Sequence, residues 1–282
     1  MVDEQKTANE EASDACNAQG IAAAERKWYS QAIECFEKAI ELDPNSAHAH
    51  DNLASVYGEL GQLEQAMNHY LQALKIDGDN PTAHYNLACF LATYGETLAV
   101  EQFQTTLELQ PDYPDAHVNL GLCLVHKGEH EADLDAFKNA YALNPDDMEC
   151  LQELAATLID LGEYAEAIRH LKTVVKASPS DVDAWIDLGV AQSEQGFYAE
   201  AETAFLEAKR NGPDDILALY HLAALYAAWE RHEEAIEELK IAGTLDPLQV
   251  LEWAESDRVF DEIRSTQQYV AWRHSLQPSP QT

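Results

Sequence analysis

The sequence predicts an all-α protein made of tandem helix-turn-helix repeats that stack into an α-solenoid. One unit is clearest from Asp183 to Pro213, where small and apolar residues recur at helical spacing on both sides of Gly196. This pattern is typical of two amphipathic helices joined by a tight turn. The same landmarks return about every 34 residues through most of the chain, so we expect one elongated array without a central core.

The landmarks of this unit form an ordered pattern. The first helix carries Trp-x2-Leu-Gly, the turn carries a glycine, and the second helix carries Ala-x3-Phe-x2-Ala before a closing proline. The pattern resembles the tetratricopeptide repeat (TPR), and seven consecutive matches between residues 13 and 249 are far more specific than a single motif. The resemblance implies a right-handed superhelix whose first helices line a concave groove. It also implies a protein-binding function as an adaptor or scaffold.

The repeats divide the chain into predicted segments. These are a disordered acidic leader at 1–12, repeats at 13–46, 47–80, 81–113, 114–147, 148–181, 182–215 and 216–249, capping helices at 250–275, and a disordered tail at 276–282. The cap is predicted because the repeat pattern restarts at Trp253 but breaks at Ser256 and Asp257. Its apolar side is expected to cover the exposed end of the seventh repeat.

Three places depart from the repeat pattern. The third repeat has lost one residue from its turn, Asp133 stands where an alanine is expected, and Glu230 replaces the turn glycine of the seventh repeat. Because an unpaired buried charge is costly, we interpret Asp133 as a small register adjustment that uses Ala132 instead. A carboxylate placed there for a function is the alternative.

The charge of the chain restricts its partners. The 51 Asp and Glu residues against 17 Lys and Arg give a formal net charge of −34. Nucleic acid is excluded as a partner, because proteins bind its phosphates through Lys and Arg that release condensed counterions. An anionic membrane surface is disfavoured for the same electrostatic reason.

Other sequence features concern compartment and chemistry. No apolar run approaches the roughly 20 residues that span a bilayer, and the start MVDEQKTANEEA has no signal-peptide pattern. We therefore expect a cytoplasmic protein whose five cysteines, none in a C-x-x-C pair, are reduced structural thiols. No catalytic or phosphate-binding signature is present, so we expect no enzymatic activity and no cofactor.

Three histidines recur at one place in consecutive repeats, namely His50, His84 and His117. Stacked helices lie about 10 Å apart, whereas zinc requires nitrogen ligands at about 2 Å. Later repeats have Leu151 and Trp185 at this place. We therefore expect these histidines to pack as aromatic substitutes, with no metal site.

An asparagine follows each of these histidines by two residues, at Asn52, Asn86 and Asn119. This position resembles the asparagine ladder in the TPR arm of O-GlcNAc transferase, which implies contact with an extended peptide backbone. One asparagine per repeat, about 10 Å apart, also matches three residues of extended chain at about 3.3 Å each. An amide can both donate and accept hydrogen bonds. The alternative is that these asparagines cap local structure or pack neighbouring repeats.

The same position becomes acidic in the second half of the chain, where it holds Glu153, Asp187 and His221. Tyr85 and Tyr220 complete the candidate peptide-binding residues. The TPR domains that clamp the acidic tails of heat-shock proteins use Lys and Arg, and those basic residues are absent here. The sequence therefore predicts a basic protein or peptide partner. Two alternatives stay open: self-association with residues 250–275 as the groove ligand, and an acidity that reflects a saline habitat.

Overall fold

The computed structural model describes residues 2–128 and 130–276, with side chains from residue 6 onwards, and these residues form helices without strands. Fourteen helices form seven consecutive pairs, α1 to α14, with bounds Val2–Glu25, Tyr29–Leu42, Ala47–Glu59, Leu63–Ile76, Pro81–Ala92, Glu96–Leu109, Pro114–Lys127, His130–Leu143, Met148–Asp160, Tyr164–Ala177, Val182–Glu194, Tyr198–Asn211, Ile216–Ala228 and His232–Leu245. The remaining elements are α15 (Pro247–Ser256), a 3-10 turn (Arg258–Phe260), α16 (Asp261–Arg264) and α17 (Gln267–Leu276).

The helices fall into two compact units, residues 1–144 with α1–α8 and residues 145–282 with α9–α17. Within each unit, successive helices are neighbours in space. The first helices of successive repeats also contact each other, α3 with α5 and α5 with α7 in the first unit, and α11 with α13 in the second. This arrangement is that of stacked repeats.

In three repeats a glycine inside the first helix contacts an aromatic ring of the second helix, and the missing side chain of the glycine makes room for the ring. A Cβ atom added to Gly189 would lie 2.5 Å from the ring of Phe205, so only glycine allows the two helices to approach this closely. Gly20 with Phe36 and Gly121 with Phe137 show the same relation. Alanine replaces the glycine at 54, 88, 155 and 223. The matching second-helix residue is then leucine at 171 and 239, but it is still an aromatic residue at Tyr70 and Phe103.

The turns use the left-handed backbone conformation that glycine adopts without strain. Gly196 has φ +78°, and Glu230 adopts φ 59° at the same place in the seventh repeat. In the third repeat, three residues still connect the helices, but α5 has 12 residues where α3 has 13. Its Gly95 has an extended φ of 178°, so the left-handed residue is the one that this repeat has lost.

The structure corrects the expectation for Asp133. Its side chain is fully buried in α8, while Ala132 is exposed, so the repeat register is kept. A shift by one residue would rotate the helix by about 100° and remove Phe137 and Ala140 from the core, where both are buried. Asp133 instead forms an ion pair with His130, with 3.5 Å between Oδ2 and Nδ1.

The predicted leader at residues 1–12 is also corrected, because α1 begins at Val2 and includes this segment. No glycine or proline interrupts the chain before Gly20, and Glu, Ala, Lys and Gln are good helix formers. Lys6 and Glu10 form an i,i+4 ion pair at 3.7 Å that supports this helix. Of the predicted disordered tail, residues 277–282 lie outside the described residues, and Leu276 ends α17.

The elements after α14 cover the apolar side of the seventh helix pair. Phe260, Ile263 and Tyr269 are fully buried in one core with residues of α13 and α14. The ring of Trp272 lies close to Gly243 of α14, where an added Cβ would be 3.3 Å from it. Asp257 ends α15 and accepts a hydrogen bond from the backbone N–H of Val259, which explains the break in the repeat pattern.

Candidate functional site

The candidate residues lie on the first helix of each pair. We use the name first-helix face, within each unit separately, for residues 52, 86 and 119 of the first unit and for residues 153, 187 and 221 of the second, with the residues one and two turns after them. These positions recur every 33 or 34 residues at one place on α3, α5, α7, α9, α11 and α13. Helical spacing puts residues one and two turns apart on the same side of a helix.

The side-chain nitrogen of each asparagine bonds to the preceding repeat. Its acceptor is the residue just before the matching position there: Asn52 donates to Asn17 Oδ1 at 3.0 Å, Asn86 to Asp51 Oδ2 at 2.6 Å, and Asn119 to Tyr85 OH at 3.1 Å. Asn119 also donates to the backbone oxygen of Asp115 at 2.9 Å. The nitrogen atoms therefore join neighbouring repeats, as in the packing alternative.

The side-chain oxygens of the three asparagines, unlike the nitrogens, make no hydrogen bond to the described residues. Within residues 2–128 and 130–276, nothing donates a hydrogen bond to the Oδ1 atom of Asn52, Asn86 or Asn119, and the three side chains are half-buried. Each amide can thus offer an acceptor to a ligand. Asn52 and Asn86 each use one of the two N–H groups of the amide and keep the other as a donor, whereas Asn119 uses both. The nitrogen bonds fix the direction in which each oxygen points.

Asp51 is a buried acid on α3 next to this row. Its side chain is 7% exposed, and burial raises its pKa to about 6, although the hydrogen bond from Asn86 and the charge of His48 oppose the rise. Its Oδ1 atom has no hydrogen-bond partner among the described residues. Asp51 was not predicted from the sequence.

Tyr85 lies on α5, the first helix of the preceding repeat, and its hydroxyl oxygen accepts the hydrogen bond from Asn119. Its ring stacks on Tyr113 with 4.9 Å between centroids and packs on Phe103 at 5.9 Å. Burial raises the pKa of its hydroxyl group. Tyr85 is therefore a half-buried support of the first-helix face, and only part of it is open to a ligand.

Two clefts lie between successive first helices of the first unit. The cleft between α3 and α5 has a volume of about 270 Å³ and is lined by residues that include Ser55, Glu59, Asn86, Phe90 and Tyr94. The cleft between α1 and α3 has a volume of about 350 Å³ and is lined by residues that include Ile21, Glu25, Tyr29, Asn52 and Glu59. Both combine aromatic rings with an asparagine and with Glu59, and Glu25 also lines the α1–α3 cleft.

The second unit holds the acidic members of the predicted site. Asp187 is half-buried, and burial together with the charges of Asp183 and Glu153 raises its pKa to about 7. These acids repel one another, so a cation bound beside them would lower the pKa of Asp187.

Tyr220 and His221 lie together in a second-unit cleft of about 290 Å³, which Glu194 and Asp257 also line. The hydroxyl of Tyr220 donates to Asp257 Oδ2 at 2.7 Å, and the ring of His221 stacks on Phe205 with 5.9 Å between centroids. Burial lowers the pKa of His221. The capping segment thus completes this cleft through Asp257.

The recurring histidines have a structural role beyond packing. The Nε2 atom of His84 donates to the backbone oxygen of Gly78 at 3.0 Å, and that of His117 donates to Pro111 at 2.9 Å. The indole nitrogen of Trp185 donates to Pro179 in the same way, at 2.9 Å. Each ring therefore closes the loop that connects its repeat to the preceding one.

The described residues contain no group of three or more His, Cys, Asp or Glu that could hold a metal ion. None of the helices in residues 2–128 and 130–276 is long and apolar enough to cross a membrane.

The helix pairs, their close glycine contacts and the recurring first-helix positions define a tandem helical-repeat protein. Two family models agree: one described as "Tetratricopeptide repeat" matches residues 97–147 and 153–216, and one described as "TPR repeat" matches 23–61 and 55–89. The matched segments together cover well over half of the chain. The chain belongs to the TPR family.

Solved structures show the same fold. Over 75% of this chain and 96% of the other, it is similar to pilF of Pseudomonas aeruginosa, with 23% identity and a TM-score of 0.66. YrrB, "a TPR protein with an unusual peptide-binding site", aligns over 66% of this chain and 97% of its own, with 22% identity and a TM-score of 0.58. MamA of Desulfovibrio magneticus RS-1 aligns over 60% and 96%, with 20% identity and a TM-score of 0.57.

These findings confirm the predicted fold class, an all-α TPR solenoid. They also support a role in protein interaction, which is the general function of TPR proteins.

Proposed function

We propose that this protein is an interaction adaptor that holds an extended, basic segment of a partner protein on its first-helix face. The observation that carries the proposal is the row of oxygen atoms on Asn52, Asn86 and Asn119, one per repeat. Each can accept a backbone N–H of the partner whatever its side chains are. Because the nitrogen bonds already orient the amides, little conformational entropy is lost on binding.

The charge of the chain supports a basic partner. The net charge of −34 attracts cationic segments over a distance set by the ionic strength. Burial and neighbouring acids raise the pKa of Asp187 to about 7, with Glu153 among those neighbours. A lysine or arginine beside them would relieve this repulsion, and Tyr220 and His221 would supply apolar contact in the adjacent cleft.

The experiment compares two pools of random 12-residue peptides, one enriched in Lys and Arg and the other in Asp and Glu, by fluorescence anisotropy. We expect the basic pool to bind and the acidic pool not to bind. Affinity should weaken as salt rises to physiological concentration, because the Debye length falls to about 8 Å. Binding of the acidic pool, or binding insensitive to salt, would contradict the proposal.

A triple variant tests the asparagines in the same assay. Replacing Asn52, Asn86 and Asn119 by alanine should weaken binding of the basic pool strongly, since each net hydrogen bond contributes about 0.5–1.5 kcal/mol. The matched control is Asn68→Ala, an exposed asparagine on the second helix α4, which should leave affinity unchanged. Unchanged affinity in the folded triple variant would show that the asparagines serve only to pack repeats.

Self-association is the alternative that this experiment must separate. In the chain itself, Phe260, Ile263 and Tyr269 of the predicted capping segment are buried against α13 and α14. A monomer whose size does not change with concentration supports the adaptor, whereas growth with concentration supports a self-assembling scaffold.

A further inference from the structure

The cleft between α3 and α5 differs from the neighbouring clefts in the way its two sides are built. On α3, Asp51, Ser55 and Glu59 follow one another at intervals of four residues and lie along one side of the helix. Across the cleft stand Asn86, Phe90 and Tyr94. Asn86 joins the two sides through its hydrogen bond of 2.6 Å to Asp51.

The apolar wall of this cleft is a chain of three aromatic rings. The ring of Phe90 lies 5.4 Å from that of Tyr70 and 5.2 Å from that of Tyr94, measured between centroids. Tyr94 is 56% exposed, so its ring is available to a ligand. The three-residue connection after α5, which lacks the left-handed residue, places Tyr94 beside Phe90. Aromatic faces attract cations, with the strongest effect where water is excluded.

Two acids bring negative charge to this cleft: Glu59 lines it, and Asp51 lies behind the lining residue Asn86, to which it is hydrogen-bonded. Asp51 is more than nine-tenths buried, yet its Oδ1 atom has no partner among the described residues. Glu59 is exposed at the other end of the same helix face, and no Lys or Arg lines the cleft. A buried carboxylate oxygen without a donor is costly, so a positive charge bound in the adjacent cleft would offset part of this cost.

In the cleft between α1 and α3, the position that matches Asp51 has no buried carboxylate. It holds Asn17, which is neutral and whose oxygen accepts the hydrogen bond of Asn52. In the second-unit cleft, Asp257 accepts a hydrogen bond from Tyr220. The combination of a buried acid with an unpartnered oxygen and a row of three rings that ends in the exposed Tyr94 is therefore specific to the α3–α5 cleft among these three.

We propose that the α3–α5 cleft receives the cationic side chain of an arginine or lysine of the partner protein. The charge pairs with Glu59 and is attracted by the buried charge of Asp51 behind Asn86, and the body of the side chain packs on Phe90 and Tyr94. This inference rests on the proposed function and assigns one subsite within it. The asparagine oxygens hold the partner backbone in any sequence, whereas this cleft selects a charged residue at one position.

The test uses the full chain with isotope-labelled Tyr and Phe rings, and N-acetyl-arginine methylamide as the probe in an NMR titration. The probe should give saturable shifts at Tyr94 and Phe90. The neutral analogue N-acetyl-citrulline methylamide, which has the same shape, should give none. Equal shifts with both compounds, or shifts elsewhere only, would overturn the proposal.

Two variants identify the charge partners. Asp51→Asn should raise the dissociation constant of the probe by about fivefold and Glu59→Gln, whose charge is exposed, by about two- to fivefold. Glu101→Gln, which removes an exposed charge on α6, the second helix of the repeat that includes α5, is the matched control and should change nothing. If Asp51→Asn perturbs the fold, Glu59→Gln still decides, because Glu59 is exposed. An unchanged dissociation constant in the folded variants would refute the assignment.

The outcome is separable from that of the proposed function. If the basic peptide pool binds both variants as well as the wild type, the subsite is wrong and the adaptor function stands. If N-acetyl-arginine methylamide binds at Tyr94 but no basic peptide binds the chain, the subsite is supported and the adaptor function is contradicted.

Discussion

Asp51 gives the sharpest test of the energetics, because replacing it by asparagine should make the protein more stable and less functional. Its pKa lies at about 6 in the folded chain, mainly because burial disfavours the charged form, against 3.8 in the unfolded chain. At about 1.4 kcal/mol per pKa unit, ionisation of Asp51 in the fold costs roughly 3 kcal/mol. The amide introduced by Asp51→Asn would keep an acceptor for Asn86 without this charge.

The pH dependence has a definite sign. Between about pH 4 and pH 6 the folded chain holds a proton on Asp51 that the unfolded chain has released, so stability falls as the pH rises through this window. The Asp51→Asn variant has no ionisable group at this position, so it does not lose this stability as the pH rises. We expect its free energy of unfolding to exceed that of the wild type by roughly 2–3 kcal/mol at about pH 7.5, and by about half as much at about pH 5.

Urea denaturation followed by circular dichroism at the two pH values measures this difference. Glu101→Gln, which removes an exposed charge on α6, is the control and should show neither the stabilisation nor its pH dependence. His50 and His69, whose Nδ1 atoms are 3.0 Å apart and whose pKa values burial lowers, are present in both proteins, so their effects largely cancel in the comparison. A variant that is less stable at neutral pH, or an advantage that does not shrink at about pH 5, would refute the reasoning.

Three further predictions concern the backbone and the packing. Glu230→Gly should stabilise the protein by about 1 kcal/mol, because φ 59° is strained for a residue with a Cβ. Gly196→Ala should destabilise it by a similar amount. A shift of the thermal unfolding midpoint in the opposite direction for either variant would contradict this. Gly189→Ala should cost about 1–3 kcal/mol by overlap with Phe205, and adding Phe205→Leu should recover much of the loss in denaturation midpoint, whereas no recovery would argue against the overlap. Deleting residues 250–282 should expose the apolar side of α13 and α14 and cause aggregation in light scattering, and an equally stable, monomeric truncated chain would show that the segment is not a cap.

The helix pairs could be predicted because their landmarks are geometric requirements of the repeat. Gly189 must lack a side chain to admit the ring of Phe205, and Gly196 must adopt a positive φ in the turn. Such requirements recur with the period of the fold, so they are visible in one sequence. At Asp133 the pattern identified the position that packs against the first helix, but it did not predict that a carboxylate would be buried there. The packing of the rest of α8 outweighs the cost of burying this carboxylate.

The hydrogen bonds of the candidate site could not be predicted in the same way. The acceptors for the three asparagines are a different residue type in each repeat, Asn17, Asp51 and Tyr85, so no periodic signal marks them. Their common property is a place in space, one position before the asparagine place on the adjoining first helix. The unpartnered oxygen of Asp51 likewise depends on how two helices approach, which composition and spacing do not specify.

The most direct test of the central claim is to locate a bound basic peptide on the chain. In a backbone amide NMR titration with the Lys- and Arg-enriched pool, we expect the largest changes on the first helices α3, α5, α7, α11 and α13, centred on Asn86 and Asp187. The changes should disappear when the acidic pool is used instead. Changes confined to second helices such as α4, α6 and α12, or no changes at saturating peptide, would contradict a binding function for the first-helix face.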